Sequence, residues 1–173
     1  MKLLPIAFLF ISSLHFHFCN AQERFPYVQC ENLNGENLSI PNSIKHQIII
    51  LAFGKQNEKE LESWLQPLYD KFIAKTGLID LMFDADVYLL SVLNGIEANA
   101  VKSNIEKIKK QTDAELHANM LFLKDANDKI LQTLKPDTKH LQIYLVDSNG
   151  KIVFHTQGKL SDEKMEALED AFD

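Results

Sequence analysis

The run Ile48-Ile49-Ile50-Leu51-Ala52-Phe53 constrains this chain more than any other stretch. It is an unbroken apolar segment between polar His46–Gln47 and Gly54. Three consecutive β-branched side chains favour an extended backbone. Successive side chains of a strand point to opposite faces, so a strand apolar at every position needs cover on both. That puts it in the middle of a sheet flanked by helices. A helical pattern begins near Asn57, so strand gives way to helix within a few residues. Such a βα corner is where many folds hold their chemistry. Here it reads Gly54-Lys55-Gln56-Asn57-Glu58-Lys59-Glu60, with no nucleophile and no metal-ligand cluster.

The N-terminus has a different logic. Met1-Lys2 leads into an uncharged stretch from Leu3 to Phe18, then Cys19-Asn20-Ala21-Gln22. One basic residue, an apolar core and small residues at Cys19 and Ala21 describe a secretory signal peptide, with cleavage expected after Ala21. Ser12, Ser13, His15 and His17 make the stretch too polar and too short for a comfortable membrane span. An uncleaved anchor is one alternative. A lipoprotein modified on Cys19 is another, but Phe16 and Phe18 are bulky where a lipobox needs small residues. Residues 22–173 are then expected as a single domain in the periplasm or outside the cell, with no stable membrane insertion after cleavage. A domain of that length buries roughly 68–70% of the surface its unfolded chain exposes and needs no disulfide or metal to hold a core.

Without Lys2, 17 of the 18 basic residues remain against 24 acidic ones, a formal charge of −7. That balance offers no footprint for nucleic acid. Cys30 is then the remaining thiol, so no intramolecular disulfide can form. It reads either as a small buried hydrophobe or as a candidate reactive thiol, including one that bridges a dimer. Asn37-Leu38-Ser39 matches the N-glycosylation acceptor pattern, relevant in a eukaryotic secretory pathway.

Along the domain, Phe25–Cys30 and Leu38–Ile40 alternate loosely about Asn34-Gly35, which predicts a β-hairpin closed by Pro41. After the strand at 47–53, Asn57 and Glu60 have capping-box spacing, and Glu58 suits the positive end of the helix dipole. Leu61, Trp64, Leu65, Leu68 and Phe72 form the buried stripe of a helix reaching about Lys75, with Trp64 facing the core. Pro67 should kink that helix or loosen one turn. Leu78–Phe83 reads equally as a short helix or part of a strand. Val87–Leu93 is the next central strand, stopped by Asn94-Gly95. A helix follows over 97–112, its lysines a solvated face. Ala118–Leu123 is a short strand, and a helix lies around 128–134 before Pro136. His140–Val146 and Lys151–Thr156 form a hairpin about Asp147–Gly150. A last helix carries Leu160, Met165, Leu168 and Phe172.

The order βαβ, then ββα, is the thioredoxin arrangement. Phe25–Phe53, with Asn34-Gly35 and Leu38-Ser39-Ile40-Pro41, resembles the lead-in of TlpA-type periplasmic thioredoxins. Tyr144–Val153, followed by Gly158 and an amphipathic helix, resembles their closing hairpin and helix. The resemblance implies an α/β, thioredoxin-like fold: a central mixed sheet with helices on both faces and an extra N-terminal β-hairpin. Two departures stand out. Thioredoxins place Cys-x-x-Cys where the first central strand meets its helix, which falls between Asn57 and Glu62, and no cysteine stands there. The family's cis-proline before the closing hairpin matches a position near Leu141, and Pro136 comes too early to serve. The pattern is similar to cysteine-free branches of the superfamily, such as the thioredoxin-like assembly factors of mitochondrial ATP synthase.

His46, His117, His140 and His155 form no metal-ligand spacing, Asp147–Gly150 lacks the closing Glu of a calcium loop, and Ser63, Ser91 and Ser103 lack a nucleophile-elbow setting. Asp84 and Asp86 read as polar punctuation before a strand. No catalytic constellation, metal or cofactor is therefore expected. The expected function is binding of a protein or peptide partner without thiol chemistry. The candidate binding corner comprises Lys55, Gln56, Asn57, Glu58, Glu60 and Leu141. The alternative is a thiol-dependent redox protein or adaptor using Cys30.

Overall fold

Residues 23–42, 44–74, 83–92, 98–123 and 129–172 are described by this computed structural model, with the backbone alone at 98–102 and 129–172 complete. The stretch expected to be a signal segment, with Cys19, and all of Leu78–Phe83 but Phe83, lie outside them. The strands are β1 (Val28–Asn32), β2 (Asn37–Ile40), β3 (His46–Ala52), β4 (Ala85–Ser91), β5 (Met120–Leu123), β6 (Gln142–Val146) and β7 (Ile152–Gln157). The helices are α1 (Glu58–Leu68), α2 (Ala98–Gln111), α3 (Lys129–Leu134) and α4 (Asp162–Asp170).

All seven strands join one mixed sheet in the order β2-β1-β5-β4-β3-β6-β7. β3 lies parallel to β4 and antiparallel to β6, so it is interior, as its unbroken apolar run requires. The expected N-terminal hairpin forms and extends this sheet through antiparallel pairing of β1 with β5. Gly35, at φ 82°, supplies its turn. Asn32 Oδ1 accepts from the amides of Asn34 and Glu36 and fixes the loop.

The period of two along β3 sorts its side chains into both cores. Ile48 and Ile50 pack with Trp64, Leu68 and Phe72 of the first helical segment and with Met165 and Leu168 of α4. Ile49 and Leu51 pack on the other face with Cys30, Leu90, Leu121, Tyr144 and Ile130 of α3. Each face of the central strand is thus covered.

The first helix changes pitch just past Pro67. Residues Tyr69–Ile73 form a π-type turn, closed by Ala74 N donating to Tyr69 O at 2.8 Å. A loosened turn is thus present in the helix where the sequence predicted one, just C-terminal to Pro67. Two expectations on this helix need correction. Asn57 stands at the N-cap but makes no side-chain capping bond, because its Oδ1 turns back to Phe53 N and the Glu60 carboxylate crosses to His140. Leu65, placed on the buried stripe, is 45% exposed. Trp64 does face the core and is 0% exposed.

Candidate functional site

The corner is built by the end of β3, the start of α1 and the loop entering β6. Gly54 takes φ 133°, where a Cβ would come 3.0 Å from Gln56 Oε1. A short 3-10 turn, Lys55–Asn57, then leads directly into α1.

Asn57 is the buried hinge of this corner. Its Oδ1 accepts from Phe53 N at 2.8 Å, and its Nδ2 donates to Lys139 O at 3.1 Å. One amide thereby ties the end of the central strand to the loop before β6. Gln56 Nε2 donates to Phe53 O at 3.1 Å and reaches Thr138 O at 3.5 Å. Glu60, one turn on, crosses to the same loop. Its Oε1 meets His140 Nδ1 at 2.8 Å, and its Oε2 accepts from Leu141 N at 2.7 Å. Burial pushes the Glu60 carboxyl up, but His140, the Leu141 amide and the Lys164 charge outweigh it and hold the group below its usual range.

The amide at position 141 has a consequence. Proline, which has no N–H, could not donate to Glu60. Leu141 does so, and the other main-chain groups of residues 140–141 are engaged too. His140 N donates to Asp137 O, Leu141 O accepts from Gly158 N, and His140 O accepts from Gln142 Nε2. The described cis peptide lies elsewhere, at Ile40–Pro41. Behind the loop, Trp64 Nε1 donates to Gly158 O at 2.9 Å, while Ser63 Oγ accepts from Leu160 N at 3.0 Å.

The corner residues predicted from sequence therefore fall into two groups. Gln56, Asn57, Glu60 and Leu141 come together in one hydrogen-bonded knot, with Asn57 and Leu141 buried. Lys55 and Glu58 are exposed beside it. Cys30 is not brought to the corner. It lies in β1, 0% exposed, and burial pushes its thiol up to about 12. Reaction or dimer bridging through that sulfur would first require the sheet to open, since the thiolate is the reactive form.

Sequence reasoning missed Gln142. Buried in β6, it donates to Asp137 O, His140 O and Gln157 Oε1, and its Oε1 meets His155 Nε2 at 2.8 Å. The signal was a polar residue inside an otherwise apolar strand. Asp84 and Asp86 both pair with Lys45, at 3.2 and 3.0 Å; Asp84 precedes β4 as expected, whereas Asp86 is its second residue, since the strand begins at Ala85. Asp147 Oδ1 accepts from the amides of Asn149 and Lys151, which makes Asp147–Gly150 a turn. Among the described residues no group of three or more His, Cys, Asp or Glu side chains could hold a metal ion. Among them, too, no helix is long and apolar enough to cross a membrane.

This architecture defines a thioredoxin-like α/β protein. Solved structures agree on the fold. The thioredoxin domain of thiol-disulfide oxidoreductase BVU-2223 from Bacteroides vulgatus superposes at TM-score 0.57 with 20% identity, over 88% of this chain and 97% of that one. BsSco, a member of the Sco family of cytochrome c oxidase assembly proteins, gives TM-score 0.62 at 15% identity, over 87% of this chain and 92% of its own. The exposed lipoprotein thioredoxin Etrx1 of Streptococcus pneumoniae strain TIGR4 gives 0.57 at 17% identity, over 84% of this chain and 98% of its own. No family model matches the sequence, and no curated protein matches it either.

Proposed function

We propose that this chain is an exported thioredoxin-fold protein that binds a protein or peptide partner and performs no dithiol–disulfide exchange. The observation supporting it is what stands at the corner. Exchange needs a thiolate to attack a disulfide and usually a second thiol to resolve the mixed disulfide. A helix N-terminus lowers the attacking thiol's pKa in Cys-x-x-Cys proteins. Here that place holds Asn57 and Glu60, which bind the chain's own backbone and cannot exchange disulfides. The likeness to cysteine-free branches of the superfamily belongs to the same reading. Export rests on the pattern of residues 1–21, and one structural neighbour is described as an exposed lipoprotein.

A partner at this corner would meet side chains rather than main chain, because residues 140–141 are already hydrogen-bonded within the fold. Lys55, Gln56 and Glu58 are the contacts on offer.

An insulin-reduction assay with dithiothreitol tests the chemistry. The uncatalysed rate is expected for both the native protein and Cys30→Ser. Turnover that disappears in Cys30→Ser would replace this reading with the thiol-dependent one. Pull-down from the native envelope, with Lys55→Glu/Glu58→Lys as the control, tests the binding.

A further inference from the structure

We draw no further inference here: the strongest candidate, the apolar cavity of about 290 Å³ between the first helical segment and strands β3 and β4, walled by Leu61, Leu65, Ile73, Leu89 and Met120, carries none, because nothing in the structure shows what covers it.

Discussion

The two ends of the first helical segment are held by opposite means. At the N-terminal end, Asn57 and Glu60 reach the loop before β6 through directed hydrogen bonds. At the far end, Phe72 stacks on Phe172 at 5.7 Å, and Phe83 closes on both rings at 5.6 and 5.2 Å. His46 sits 5.3 Å from Phe172, and Lys71 pairs with Glu169. The ring cluster supplies area, tolerant of small displacements. The polar knot supplies little area but fixes which backbone atoms face each other. The corner thus keeps its shape through polar side chains that join the end of β3 and the start of α1 to the loop before β6.

Substitutions can break this contrast in order of severity. Trp64 lies between the two ends and belongs to both, with full burial and one directed bond. Trp64→Ala should cost about 3–5 kcal/mol in chemical denaturation. A loss below about 1 kcal/mol would mean that area does not hold the helix here. Asn57→Ala removes two part-buried bonds and leaves Phe53 N and Lys139 O without this partner, for a loss of about 1–3 kcal/mol. A smaller loss would show that water replaces the amide and that the knot is looser than its geometry.

Acid separates the two ends without mutation. The folded-state pKa of Glu60 is depressed. Its contribution is therefore present above the unfolded carboxyl value, about 4.3, and is lost as pH falls through the lower folded value. Asp147 behaves alike: burial raises it, but the Lys151 and Asn149 amides lower it further. Stability should therefore fall on acidification from pH 5 to pH 2, and less steeply in Glu60→Gln, which keeps the Asp147 share. Equal slopes in the two proteins would assign the acid sensitivity away from the corner. The ring cluster should be indifferent to this change.

The smallest effect is expected at Leu65. Leu65→Ser should alter stability by under about 1 kcal/mol, because the side chain is 45% exposed. A large loss would restore it to the buried stripe.

Some of this was readable in the residues, and the division is physical. β3 and the closing hairpin were legible because burial on defined faces writes itself as apolar periodicity. Trp64 followed from the same rule. Leu65 did not, since adjacent positions on a helix differ by 100° and the stripe admits only one edge. The capping box failed for another reason. Local spacing cannot know that the Asn57 oxygen turns back to Phe53 N, or that the Glu60 carboxylate finds His140 and Leu141 N some 80 residues away. Gln142 was hidden likewise, as its worth lies in the carbonyls of Asp137 and His140.

Trp64 carries one more consequence, an optical one. It is the sole tryptophan of the chain, sealed from water, with its indole N–H on the Gly158 carbonyl. Emission excited at its red edge should therefore come from a single dry, hydrogen-bonded environment and lie well to the blue of the free indole. Gly158 also holds Leu141 through its own amide. One fluorophore thus watches the seam where α1, the entry to β6 and the approach to α4 meet. A partner that pries this seam apart would announce itself as a red shift and a new sensitivity to aqueous quenchers, read without any label.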